Sequence, residues 1–400
     1  MSLIAKRLQA IKPSPTLAVT AKAKELKEQG INIISLAAGE PDFDTPANIK
    51  LAAIAAIKNG ATKYTNVSGT PELKAAICAK FKNENGLDYK ADEVIVGTGG
   101  KQVIYNLFMA TIDEGDEVII PAPYWVSYPD MAMLAGGKPV FVSSDMSTGF
   151  RANPAEIDKA VTSKSKWLIL NSPSNPSGAT YTEAELKSLA EILRKHPNLH
   201  VMCDDMYEHI TFDGFKFKTL ASVAPDLTDR IFIISGVSKA YSMTGWRIGY
   251  GAGNKDIVKA MSIIQSQSTS NPSSISQAAA TEALTGTQSY ISTNADNFQK
   301  KRDLVLSKFN AIDGLECYKS EGAFYLFPKC TELFGKKTAD GVTINSSNDM
   351  ATYLLEKANV AVVPGIAFGL EGYFRISYAT SEELLNDACA RISKAIGELI

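Results

Sequence analysis

The sequence predicts an α/β protein, with a mostly parallel seven-stranded sheet in a large domain and a smaller α+β domain after it. Three observations carry that prediction. Short β-branched runs alternate with amphipathic helical stretches through the middle of the chain. After about residue 285 this alternation gives way to one long helical stretch and three separated apolar runs. The chemically interesting polar residues follow strand ends, where open parallel sheets place their ligands.

The strands are read at 92–97 (DEVIVG), 117–122 (EVIIPA), 138–143 (KPVFVS), 166–171 (KWLILN), 199–204 (LHVMCD), 230–235 (RIFIIS) and 247–253 (RIGYGAG). Helices fall between them. The stretch 182–196 opens with Thr182 and, three residues later, Glu185, the spacing of a capping box. In the last third a helix is predicted over 294–312, strand-like runs over 322–328, 360–365 and 373–379, and a closing helix. These place a large domain over 46–285 and the small domain over 286–400. Residues 1–45, with Pro13, Pro15 and Pro41, read as an arm and lead-in packing with the small domain.

Forty-one basic against 43 acidic residues leave a net charge of -2, so no global field attracts nucleic acid or an anionic membrane, and any anion has to be bound locally. No stretch has the apolar length of a secretory signal or a membrane span, which predicts a cytoplasmic protein. Cys78, Cys203, Cys317, Cys330 and Cys389 form no CxxC pair, and His196, His200 and His209 lack metal-ligand spacing. Passive thiols and no metal site are expected.

The segment SKAYSMTGWRIGYG, residues 238–251, sets Lys239 and Arg247 among small and aromatic residues built for close packing. An unpaired buried ammonium is costly, but a lysine whose nitrogen forms an imine with an aldehyde escapes that cost and becomes a base. Pyridoxal 5'-phosphate supplies such an aldehyde, and it demands an acid for its ring nitrogen, a donor for its ring hydroxyl, a stacking face and a dianion site. Asp204 ends an apolar strand and suits the nitrogen, though it equally suits a helix cap. Tyr207, with Asn175 in NSPSNPSG (171–178), suits the hydroxyl, and Trp125 in PAPYWVSYP (121–129) the face. Arg247 suits the phosphate because its planar fork binds two oxygens. Gly99, Gly100 and Lys101, in GTGGKQVIYNLF (97–108), open a helix whose free amides form either a phosphate cradle or a plain tight turn. The glycines of GYGAGN (249–254) read as packing glycines. Arg375, in EGYFRISYA (371–379), fits a partly buried carboxylate site, and Gly39, in LAAGEPDFDTP (36–46), lets main chain approach a substrate.

In this order, these motifs resemble the class I pyridoxal-phosphate aminotransferases of the aspartate aminotransferase superfamily, across essentially the whole chain. With KPSPT, KYTNVSGTPELK, GGKQ and PYWVSYP, the chain looks most like their bacterial aspartate/prephenate branch. The resemblance implies the fold type I of pyridoxal-phosphate-dependent transferases and a homodimer with active sites at the interface, where Tyr64 would reach the partner's phosphate. It implies substrate contacts at Gly39, Trp125, Asn175 and Arg375, a distal-carboxylate contact at Lys101, and an association of Lys12 with prephenate use. It also implies a ping-pong exchange between L-aspartate and 2-oxoglutarate, giving oxaloacetate and L-glutamate, with prephenate converted to arogenate as a further reaction. A transaminase of aromatic, kynurenine or alanine specificity, or a lyase on the same scaffold, would use the same Lys239, Asp204 and Arg247. The chain departs from the branch pattern at Asp205, where glutamate is usual, and at Ser177, where threonine is usual.

Overall fold

The computed structural model describes residues 3–11 and 13–400. A helix over Pro15–Glu28 leads to the short strand β1 (Ile34–Ser35). The central strands are β2 (Val94–Gly97), β3 (Glu117–Ala122), β4 (Lys138–Ser143), β5 (Ser165–Asn171), β6 (His200–Asp204), β7 (Ile231–Gly236) and β8 (Gly249–Ala252). The C-terminal strands are β9 (Tyr325–Leu326), β10 (Val360–Ala361), β11 (Val363–Pro364) and β12 (Phe374–Ser377).

The seven predicted central runs all form one sheet, in the order β2-β8-β7-β6-β5-β3-β4. Their nearly continuous apolar character follows from burial on both faces. Val94, Val96, Leu168, Leu170, Val201, Ile231 and Ile233 enter one core, and Ile95, Trp167, Ile169, Met202, Phe232 and Ile234 enter another. The residue period of 2 sends neighbours along each strand to opposite faces. Only β8 departs from the parallel pattern, pairing antiparallel with β2 and with β7. Its reversal brings Arg247, two residues before its start, to the edge where the other six strands have their carboxyl ends.

The helix Glu183–Lys195 shows how closely local signals specify the covering layer. Thr182 accepts from the Glu185 amide, and Glu185 accepts from the Thr182 amide at 2.7 Å. Leu186, Leu189, Ala190 and Leu193 form its buried stripe, at the i, i+3, i+4, i+7 spacing of one helix face.

A further core joins the helix Ser289–Phe309 to the small sheets through Phe298, Val305, Phe309, Phe324, Leu326, Phe374 and Ile376. That helix starts and ends earlier than 294–312. Tyr290 and Ile291 pack against the core of the central sheet and so draw the first turn into order, whereas Ile312 reaches the C-terminal core from a turn beyond the helix. The first central strand begins at Val94 because Ala91–Glu93 form a 3-10 turn. Of 322–328 only β9 is paired as a strand, after Ala323 takes a left-handed φ of 57°. The run 360–365 is shared between two sheets, β10 pairing parallel with β1 and β11 antiparallel with β12. Among the described residues, no helix is long and apolar enough to cross a membrane.

Candidate active site

The carboxyl edge of the sheet opens onto a cavity of about 390 Å³, within the size range of small-molecule sites. Several strands contribute at or just beyond their carboxyl ends. Lys239 comes from the turn after β7, Asp204 from the last position of β6, and Asn175 from the loop after β5; all three line the cavity. Gly100, Lys101, Trp125, Tyr207 and Arg247 line the same space, as do Gly39 and Arg375 from outside the central sheet.

Lys239 Nζ donates to the Gly39 carbonyl at 2.6 Å. Burial lowers the pKa of this amine to about 8; Arg375 and Arg247 add to the depression, while Glu40 and Asp204 pull the other way. Gly39 has no room for a side chain, since a Cβ would stand 2.9 Å from the Tyr325 hydroxyl. Asp204 is buried and caps no helix: its Oδ2 accepts from the Tyr128 hydroxyl at 2.6 Å and its Oδ1 from the Met206 amide at 3.3 Å. Burial raises its pKa, against the lowering effect of those two donors and of Lys239. Tyr207 is buried beside it, its hydroxyl 2.8 Å from that of Tyr325.

Arg375 is only 2% exposed and has no acidic partner among the described residues. Its Nη1 donates to Asn175 Oδ1 at 2.9 Å and its Nη2 to the Ala37 carbonyl at 2.6 Å, while its Nε has no acceptor. Tyr325 and Phe368 lie 4.6 and 5.0 Å from the guanidinium. Burial lowers its pKa. A buried arginine with one N–H unsatisfied is a site for an anion that the chain does not itself supply.

At the glycine-rich turn the structure divides the predicted cradle. The Gly99 amide already donates to the Gly97 carbonyl at 2.8 Å, so Gly99 offers no free N–H. Its glycine character is needed for a φ of 82° and for Arg247, whose Nη2 a Cβ would meet at 2.1 Å. The helix Gly100–Thr111 instead leaves its first two amides, on Gly100 and Lys101, without acceptors among the described residues, the usual state of a helix start. Arg247, itself at a left-handed φ of 55°, is held to this turn by bonds to the Thr244 and Thr98 carbonyls. Gly249 packs β8 against the same turn, where a Cβ would lie 2.1 Å from the Gly100 nitrogen. Lys101 Nζ lies 4.8 Å from the centre of the Trp125 ring, and its pKa is lowered by burial and by Arg247.

Two predicted residues stand apart. Tyr64 is 92% exposed and does not line the cavity of its own chain. Lys12 lies outside the described residues. Sequence reasoning passed over Tyr128, Asn171, Tyr325 and the Pro15–Glu28 helix, which brings Thr16, Leu17 and Thr20 to the cavity. Tyr128 was visible in PYWVSYP only as an aromatic one helical turn beyond Trp125. Asn171 links the strand ends: its Oδ1 accepts from the Asn175 amide and its Nδ2 donates to the Asp204 carbonyl, each at 2.9 Å.

An anion-seeking arginine, a desolvated lysine and a buried aspartate around one cavity define an enzyme site, and the comparisons with known proteins give its class. Residues 31–392 match the family model for aminotransferase class I and II, and the chain belongs to that family. It is 67% identical over 399 residues to a probable aspartate/prephenate aminotransferase of Rickettsia bellii, covering all of both chains. It is 56% identical over 392 residues to the aspartate/prephenate aminotransferase of Cereibacter sphaeroides, covering 98% of each. The crystal structure of the Rhizobium meliloti aspartate aminotransferase superposes over the full length of both chains with a TM-score of 0.97 at 51% identity. That of the Thermus thermophilus aspartate aminotransferase with maleate covers 99% of this chain and all of its own, with a TM-score of 0.92 at 41% identity. The mixed seven-stranded sheet is thus the fold of aspartate aminotransferases.

Proposed function

We propose that this enzyme moves the amino group between L-aspartate and 2-oxoglutarate with pyridoxal 5'-phosphate as cofactor, and that it also aminates prephenate. The observation that carries this reading is Arg375, a buried arginine without an acid of its own, in one cavity with the desolvated amine of Lys239. The names of the relatives from Rickettsia bellii and Cereibacter sphaeroides support both substrates. Maleate on the Thermus thermophilus enzyme supports a dicarboxylate.

The residues present fit the cofactor. Asp204 is the acid for its ring nitrogen. Tyr207 and the amide nitrogen of Asn175, whose oxygen is committed to Arg375, are donors for its ring hydroxyl. Trp125 gives a face, and Arg247 with the Gly100 and Lys101 amides takes the phosphate. When bound, pyridoxal 5'-phosphate supplies an aldehyde carbon and a ring that withdraws charge from the substrate α-carbon. Arg375 grips the α-carboxylate and thereby orients the α-hydrogen. Lys239 Nζ is the base that would accept the proton from that carbon and hold it as an ammonium, a task suited to an amine whose pKa of about 8 leaves a neutral fraction near pH 7. Lys101 is the cation for the second carboxylate of aspartate or 2-oxoglutarate.

A homodimer completes this reading. Tyr64 is exposed in the single chain, and Leu51, Ile54 and Ile57 project from the helix Ala47–Lys58 as an uncovered apolar row.

The test begins with borohydride reduction of the cofactor-loaded protein and peptide mapping, which is expected to find the pyridoxyl group on Lys239. Half-reactions with aspartate, glutamate, alanine, phenylalanine and kynurenine follow, then prephenate as acceptor. Aspartate and glutamate are expected to convert the cofactor fastest, with stoichiometric keto acid. Ammonia release in place of the aminated cofactor would mark a lyase and overturn the proposal.

A further inference from the structure

We infer that Tyr128 is a positioning residue for this reaction: its hydroxyl holds one oxygen of Asp204 and keeps that carboxylate in the ionised form that a protonated ring nitrogen requires. The inference rests on the reading that Asp204 faces the nitrogen of bound pyridoxal 5'-phosphate.

Asp204 ends β6 beside Asn171 of β5, where the sheet leaves it 7% exposed. A carboxylate that is taken out of water without donors reverts to the neutral acid. A neutral acid there could not balance a pyridinium, and the cofactor would lose its hold on negative charge. Among the described residues two groups donate to the side chain. The Met206 amide reaches Oδ1 at 3.3 Å, a long bond, whereas the Tyr128 hydroxyl reaches Oδ2 at 2.6 Å, within the range of charge-assisted O–H···O⁻ bonds. The phenol therefore does most of the work against desolvation, ahead of the Met206 amide and the charge of Lys239; Asp205 and Tyr207, the neighbours on the same segment, offer Asp204 no donor.

Tyr128 is built to stay in place. It is 1% exposed, sits in the first turn of the helix Ser127–Leu134, and donates its backbone amide to the Trp125 carbonyl at 3.1 Å. Its ring meets the Trp125 ring edge-on at 5.3 Å and 82°. One side chain thus fixes both the aromatic face and the acid, and packing alone does not need the hydroxyl.

The experiment uses holoenzyme loaded with pyridoxal 5'-phosphate labelled with 15N in the ring, after the wild-type protein has shown its pyridoxyl adduct on Lys239; lack of that adduct would be a failure of the proposed function, not of this inference. In Tyr128→Phe the ring 15N resonance is expected to move toward the unprotonated value. Cofactor affinity should fall about tenfold, the equivalent of one lost charge-assisted hydrogen bond. The kcat should fall by a similar factor, with KM for aspartate changed much less. A 3-fluorotyrosine at the same position keeps the shape and donates more strongly, so its 15N resonance is expected to move the opposite way. This second variant decides the matter if Tyr128→Phe fails to fold. An unchanged ring resonance and cofactor affinity in a folded Tyr128→Phe holoenzyme, or no movement in the fluorinated one where it alone is measurable, overturns the inference.

Discussion

At the scale of single residues, the site works by placing charged groups where water cannot reach them. For Lys239 burial brings the amine from 10.5 to about 8, so the folded apoprotein releases a proton that the unfolded chain keeps between those two values. Stability contributed by this group therefore rises with pH across that window, and the nucleophilic neutral amine appears near pH 8 instead of above 10. The rate at which apoenzyme captures pyridoxal 5'-phosphate is expected to climb with pH, with a midpoint near 8, and then level off; stopped-flow absorbance measures it. A midpoint at the ordinary lysine value would mean that the amine is solvated. Lys239 and Arg247 were legible in the sequence because two cations in a close-packing segment need a chemical reason. Tyr128 was not, because a tyrosine near a strand end is ordinary until its hydroxyl is seen on Asp204.

At the scale of elements, a buried ion pair fastens the helix Pro71–Lys80 to the segment beyond β6. Lys80 and Glu208 are 1% and 4% exposed at their side chains and form a direct salt bridge. Asn85 and Ser235 each donate to Glu208 at 3.0 Å, and Lys80 also donates to Asn85. Burial by itself would raise the Glu208 carboxyl, but Lys80, with His209 and Asn85, brings it down to about 2. The depressed value means that this contribution is full above the ordinary carboxylate pKa of 4.5 and fades as pH falls toward 2. Lys80→Met should destabilise the enzyme by about 3–5 kcal/mol, because it leaves a buried carboxylate without its partner. Lys80→Met with Glu208→Leu should recover much of that loss, since both charges are then gone. Equilibrium unfolding of the three proteins checks the order. The pair was invisible in the sequence: positions 80 and 208 share no periodicity, and only the packing of the helix on the sheet brings them together.

At the scale of the whole molecule, the cavity joins parts of the chain that lie far apart: the N-terminal helix, the central sheet and the C-terminal strand carrying Arg375. In the proposed dimer a partner's Tyr64 completes each site. Mixing Lys239→Arg chains with Tyr64→Ala chains under conditions that let subunits exchange should then restore activity. Each mixed dimer holds one site with both lesions and one with neither, so random exchange returns about a quarter of the wild-type rate under twofold symmetry. Activity that stays at the sum of the separate variants would show that Tyr64 serves its own chain or none. Glycines follow the same logic of distant parts. Gly249 and Gly99 matter because β8 and Arg247 approach the turn that leads into Gly100, a contact that only the folded sheet creates.

What the sequence determined by itself is whatever local rules decide. Burial on both faces makes strands into continuous apolar runs, so all seven central strands could be read; cap spacing set the helix at Glu183, and the residue types after each strand end pointed to the chemistry. What the tertiary structure decided depends on contacts between distant segments. These are the reversed direction of β8 that delivers Arg247, the sharing of 360–365 between two sheets, the use of the Gly99 amide inside its own turn, and the bond from Tyr128 to Asp204. A hydrogen bond or a close approach across 76 residues leaves no periodic trace along the chain, because its partners are chosen by the fold and not by their neighbours.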